Sequence, residues 1–154
     1  MFSFTRAVPK SQLRFTVRNS FRTYVSIGDK VPATPVFEGS PGNDINLAEE
    51  TASGKTILIG VPGAFSPACS ASHVPGYIKN IRAFNDKGYQ RFFVVAVNDP
   101  FELDLLFDAR KAFGNERSKR YALIIEDGKV VKSFVEPDNT SVDVSAAQKV
   151  LEEA

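Results

Sequence analysis

The sequence predicts an α/β fold with a mixed central sheet flanked by helices, and three observations predict it. Two short apolar runs, residues 56–61 and 92–97, bracket a stretch with helical spacing. A further pair of runs, residues 121–125 and 130–135, flanks the turn signal Glu126-Asp127-Gly128.

In chain order, residues 27–50 are rich in Gly, Pro, Asn and Asp and read as turns and extended segments, with a short strand near residues 35–38. The run Thr-Ile-Leu-Ile-Gly-Val at 56–61 lies between Gly54 and Pro62 and suits a strand buried on both faces. Val74, Tyr77, Ile78, Ile81 and Phe84 recur at steps of three and four, which predicts a helix, and Gly88 stands where it should stop. Residues 92–97 form the second strand, ended by Asn98-Asp99-Pro100, and the strand, helix, strand order implies parallel pairing. Leu103, Leu106, Phe107 and Phe113 suggest a short helix. Asp-Gly between apolar runs predicts a β-hairpin, and a last helix over residues 144–153 closes the chain.

With 154 residues, 43% hydrophobic and 24% charged, the chain has ordinary globular composition. No window approaches 18 consecutive apolar residues, so a membrane span is not expected. One cysteine excludes an internal disulfide, and one histidine, His73, argues against a structural zinc site. No cofactor is expected.

Charge divides the chain. Arg6, Lys10, Arg14, Arg18 and Arg22 precede Asp29, the first acid. Of 19 basic residues that leaves 14 against 18 acidic ones in the body, about −4. An Arg-rich, Ser-containing, acid-free start fits a mitochondrial transit peptide over residues 1–24, with Arg22-Thr23-Tyr24 resembling a matrix-peptidase site. Residues 25–154 then form one domain. A disordered tail or a nucleic-acid arm is the alternative, but the body lacks the basic face that nucleic acid would need. Leu151-Glu152-Glu153-Ala154 does not match a peroxisomal address of the Ser-Lys-Leu kind. The expected location is the mitochondrial matrix, with the cytoplasm second.

Gly54-Lys55-Thr56 looks like the end of a phosphate-binding loop. The required first glycine falls at Glu49, however, and the triplet leads into a strand, so nucleotide binding is not expected.

The chemistry concentrates in residues 61–70, between a buried strand and an amphipathic helix. With Ser66 as N-cap and Pro67 as first helical residue, Cys69 falls in the first turn. Unpaired amides and the positive end of the helix dipole favour a thiolate there. Taking a thiol from about 8.5 to about 6 needs roughly 3.4 kcal/mol, whereas a helix end supplies at most about 2, so a cation is required. Spacing does not choose among Arg82, Arg91, Arg110, Arg117 and Arg120.

Residues 62–69 fit the peroxiredoxin signature P-x-x-x-[T/S]-x-x-C. The fuller run at 60–70, followed by His73-Val74-Pro75-Gly76-Tyr77, resembles the peroxiredoxin-5 subfamily with its fungal members. The likeness continues through Val97-Asn98-Asp99-Pro100-Phe101 and Lys119-Arg120-Tyr121-Ala122-Leu123 to Glu126-Asp127-Gly128, covering roughly residues 26–101 and 105–154. It implies a thioredoxin-like fold and a peroxidase acting on hydrogen peroxide and alkyl hydroperoxides. By that resemblance Cys69 is the peroxidatic nucleophile, Ser66 orients peroxide and thiolate, and Arg120 stabilises the thiolate and the departing oxygen. Pro62 shields the pocket, Gly63 and His73 support it, and Pro75 kinks the helix.

Two departures from the family stand out. No resolving cysteine occurs over residues 140–147, which implies a one-cysteine mechanism with an external thiol reductant, glutathione with glutaredoxin or thioredoxin. About thirty residues that relatives carry after Phe101 are missing, so one edge βα unit of the sheet is expected to be absent. Contacts of a homodimer would be affected, and a weakly active redox-sensing or interaction module is the alternative function.

Overall fold

β3 (Lys55–Val61) is the strand around which the rest is built, because Ile57, Leu58, Ile59 and Val61 are all buried on its two faces. In this computed structural model the described residues are 25–38, 42–63, 67–96, 117–138 and 140–154, with the backbone of 106–107. The chain crosses from β3 through a wide helical turn and α2 (Val74–Asp86) to β4 (Tyr89–Ala96), which pairs parallel to β3. A parallel partner needs such a crossover, since a tight turn can only reverse direction. β7 (Tyr121–Glu126) pairs antiparallel on the other side of β3, and β8 (Lys129–Val135) pairs antiparallel to β7. The four-stranded order is β4-β3-β7-β8, a mixed sheet with β4 at one edge.

The turn between β7 and β8 works as the sequence predicts. Asp127 and Gly128 have φ of 48° and 74°, both left-handed, which is the twist a two-residue hairpin needs. Gly88, φ 90°, ends α2 as expected.

Period-two alternation sorts the sheet side chains. Ile57, Ile59, Val61, Ala122 and Ile124 pack with Tyr77 and Phe84 of α2 and with Ala147 and Val150 of α3 (Ala147–Glu153). Leu58, Tyr121, Leu123 and Ile125 pack on the other face with Val31 and Leu47. Each fully buried aliphatic side chain contributes on the order of 2 kcal/mol. The segment covering that second face includes a hairpin, β1 (Pro35–Phe37) with β2 (Asp44–Asn46), and a single helical turn, α1 (Leu47–Glu50). Among the described residues no helix is long and apolar enough to cross a membrane.

Several elements depart from expectation. β4 begins at Tyr89, three residues early, because Tyr89 packs its ring on Phe84. α3 begins at Ala147 and not at 144, since Ser145 turns its polar groups inward. Ile78 and Ile81 keep helical spacing but are exposed, whereas Tyr77 and Phe84 form the buried stripe. Leu106 and Phe107 are extended as β5 (Leu106–Phe107) and pair with β6 (Arg117–Ser118), where the sequence predicts helix. Apolar spacing over so short a run does not separate the two states. The rest of that segment, including Leu103 and Phe113, lies outside the described residues.

Candidate active site

β3 delivers the chain to Pro62 and Gly63, both half-buried. Residues 64–66, and with them the expected cap Ser66, lie outside the described residues. Helical structure begins at Pro67-Ala68 and widens at once into a π-helical turn, Cys69–His73. The Val74 N–H donates to the Cys69 carbonyl, five residues back. Pro75 accounts for the widening: it has no N–H for the Ala71 carbonyl, and its ring crowds that oxygen. The expected kink at Pro75 therefore takes the form of a widened turn that carries Cys69 at one end and His73 at the other.

Cys69 is in no disulfide and is 2% exposed, in the cluster formed by one face of the sheet and α2. Arg120 stands immediately before β7, also 2% exposed, and its Nη1 donates to Cys69 Sγ at 3.4 Å. Of the other four arginines that the sequence leaves open, Arg82 and Arg91 are exposed, Arg91 donating to the Glu50 carbonyl, Arg117 is half-buried on β6, and Arg110 lies outside the described residues. The Arg120 carbonyl accepts the Glu136 N–H at 3.0 Å, which ties the residue to the end of β8.

His73 is 1% exposed, and its Nε2 meets the Ser145 carbonyl at 3.0 Å. A carbonyl only accepts, so Nε2 carries the proton in this bond. Tyr77 O–H donates to the same carbonyl at 2.6 Å, and the two rings meet edge to face at 5.7 Å. Burial holds His73 down to about 4, the Arg120 charge adding to the effect while the Ser145 carbonyl and Glu136 oppose it. His73 is therefore neutral at physiological pH.

Glu136 is 2% exposed. Its Oε1 accepts the N–H groups of Asp143 and Ser145, each at 2.8 Å, and the Ser145 hydroxyl at 2.7 Å. Burial pushes its carboxyl up, but these bonds from Ser145 and Asp143, with one from the Val144 N–H, together hold it below the usual range.

The structure thus brings Cys69, Arg120 and His73 together and leaves Pro62 and Gly63 at the strand exit. Among the described residues a Cβ added at Gly63 meets nothing within 4 Å, so no close contact with them demands a glycine there. Sequence reasoning passes over Glu136, Ser145 and the packing role of Gly60, whose added Cβ would lie 2.0 Å from the Tyr121 ring. The only local signal for Glu136 is an acid placed directly after an apolar strand. An apolar cavity lined by Val31, Leu47, Leu58 and Leu123 lies on the opposite face of the sheet, away from the thiol.

The redoxin family profile matches residues 26–151. Peroxisomal membrane associated protein 20 of Schizosaccharomyces pombe is 40% identical over 156 positions, spanning 82% of this chain and 97% of the relative. A reduced Prx3 of Vibrio vulnificus, solved in complex with H2O2, is 29% identical with a TM-score of 0.75 and covers 84% of this chain and 99% of its own. Peroxiredoxin 5 of Alvinella pompejana is 31% identical with a TM-score of 0.67, covering 75% and 92% respectively.

The yeast match takes in 82% of 154 residues, about 126, against 156 aligned positions. About thirty positions of the alignment therefore have no residue of this chain. The point after Phe101, where the sequence places such a gap, lies outside the described residues.

One expectation is corrected by these relatives. The relative with 40% identity is named for the peroxisome, so the mitochondrial address read from the first 24 residues does not stand. An arginine-rich, acid-free start is a compositional signal that names no organelle by itself, and residues 1–24 lie outside the described residues. The resemblance in the thiol motif, the profile match and the mixed sheet agree, and the chain belongs to the redoxin family as a thiol-dependent peroxidase of the peroxiredoxin-5-like kind.

Proposed function

We propose that Cys69 is the nucleophile of this peroxidase and that Arg120 is the cation it requires. The observation that carries the reading is the 3.4 Å contact between Arg120 Nη1 and Cys69 Sγ inside a buried site. At an effective dielectric near 20, opposite charges at that distance attract by about 5 kcal/mol before the cost of desolvating them. The helix start leaves roughly 1.4 kcal/mol of the required preference for thiolate unmet, so a partly offset guanidinium suffices.

In the reaction the Cys69 thiolate attacks the terminal peroxide oxygen. A sulfur–oxygen bond forms as the oxygen–oxygen bond breaks, and hydroxide or alkoxide departs and takes up a proton. Arg120 then faces charge moving from sulfur to the leaving oxygen, and a fixed donor serves both ends of that transfer. Ser66 orients the peroxide, Pro62 walls the pocket, and Gly63 and His73 support it; these four roles rest on resemblance to the family motif. The chain has one cysteine, so the sulfenic acid is reduced by an external thiol, glutathione with glutaredoxin or thioredoxin. Hydrogen peroxide and alkyl hydroperoxides are the substrates. The location favoured is the peroxisome, on the name of the Schizosaccharomyces pombe relative.

The test is stopped-flow oxidation of the full chain by hydrogen peroxide and tert-butyl hydroperoxide, with dimedone trapping and with each reductant system in turn. Fast oxidation confined to Cys69, and abolished in Cys69→Ser, is expected. Oxidation no faster than that of free cysteine would remove the assignment.

A further inference from the structure

Cys69 and Arg120 come from different elements, 51 residues apart, and one buried residue, through its main chain on one side and its carboxylate on the other, links the two. Glu136 directly follows β8. Through its main chain it holds one partner, since its N–H donates to the Arg120 carbonyl at 3.0 Å. Through its carboxylate it gathers the turn before α3: Oε1 accepts from Asp143 N–H, Ser145 N–H and Ser145 Oγ–H, and Oε2 accepts from Ser141 Oγ at 3.4 Å. Ser145, so held, presents its carbonyl to His73 Nε2 at 3.0 Å and to the Tyr77 hydroxyl at 2.6 Å. His73 closes the turn that Cys69 opens.

A buried charge is costly unless hydrogen-bonded, and here three donors converge on one oxygen. Packing alone would be met by an apolar residue. What the carboxylate adds is one defined geometry for residues 141–145, and hence for the carbonyl that seats His73.

We propose that Glu136 is a positioning residue for the thiol site, which sets the wide turn carrying Cys69 through Ser145 and His73 while its own backbone anchors Arg120. This rests on the reading of Cys69 and Arg120 as the reacting pair.

The test compares full-length Glu136→Gln and Ser145→Ala with the wild type at a temperature where circular dichroism shows each folded. Three quantities are read: the rate constant for Cys69 oxidation by hydrogen peroxide, the pH midpoint of Cys69 alkylation by iodoacetamide, and the ring N–H resonance of the sole histidine. Glu136→Gln should slow oxidation tenfold or more, move the alkylation midpoint upward and expose the His73 ring proton to exchange. Ser145→Ala, which removes one of the three donors, should do the same to a smaller extent. Folded variants with wild-type rate, midpoint and ring resonance would overturn the proposal, whatever their melting temperatures. If Glu136→Gln does not fold, Ser145→Ala decides alone. Should the wild type itself oxidise no faster than free cysteine, the peroxidase reading fails, and the alkylation and resonance measurements still decide whether Glu136 sets the turn.

Discussion

Arg120 Nη1 donates to Cys69 Sγ at 3.4 Å, and neither side chain exposes more than 2% of its surface. On the proposal that Cys69 is the nucleophile, a guanidinium in that position would act on the thiolate before reaction and on the leaving oxygen during it. Arg120→Ala should therefore slow peroxide consumption by two to three orders of magnitude, the range seen when one transition-state donor is removed. The Cys69 thiol should titrate higher in the same variant. Arg120→Lys keeps the charge but loses the planar fork and should recover part of the rate. Stopped-flow kinetics and a pH titration of alkylation check both; wild-type rates in Arg120→Ala would take Arg120 out of the site.

Gly60 pairs with Tyr121, the residue after Arg120, in the β3–β7 ladder. A Cβ there would lie 2.0 to 2.4 Å from three ring atoms of a fully buried tyrosine. Gly60→Ala should destabilise the fold by about 3 kcal/mol, at the upper end for overpacking, whereas Gly63→Ala should leave stability unchanged. Urea unfolding of the two variants provides the comparison. The double variant Gly60→Ala, Tyr121→Ala should lose less than the sum of the single changes, because removing the ring removes the clash.

Acid stability follows from His73. Its folded value is about 4 against 6.5 when unfolded, so protons bind the unfolded chain preferentially between those limits. Stability should be full above about pH 6.5 and fall as pH drops toward 4, by on the order of 3 kcal/mol in all. Glu136, held below the usual carboxylate range, adds a second loss at lower pH as it is protonated. His73→Gln keeps a donor for the Ser145 carbonyl and does not titrate. Its melting temperature should be flat between pH 6.5 and about 5, above the range where the carboxylates begin to protonate, and a wild-type slope there in that variant would assign the loss to another group.

What could be read in the sequence was local. The run at 56–61 and the Asp127-Gly128 turn declare their states within a few residues, and both appear as predicted. The thiol motif likewise lies in one contiguous segment. Choosing Arg120 among five arginines by spacing was impossible, because its contact with Cys69 spans 51 residues and depends on the β3–β7 pairing. The Ser145 carbonyl reaches His73 across 72 residues, so nothing near Glu136 reveals what its carboxylate ultimately holds. Leu106 and Phe107 fail in the other direction: their apolar spacing suits a helix, but their partners are Ser118 and Arg117 on another strand.

Pro75 offers a test of the wide turn itself. It occupies the second position of α2, and the turn Cys69–His73 precedes it without a regular i to i−4 bond from residue 75. Pro75→Ala supplies the missing N–H and removes the ring, which allows the turn to tighten into ordinary α-helix. Tightening removes one residue's worth of slack between Cys69 and His73. His73 remains tied to Ser145, so the displacement falls on Cys69 and lengthens its contact with Arg120. Pro75→Ala should therefore melt at the same or a higher temperature yet react with peroxide at least tenfold more slowly. A variant that keeps the wild-type rate while gaining stability would show that the proline shapes the helix without placing the thiol.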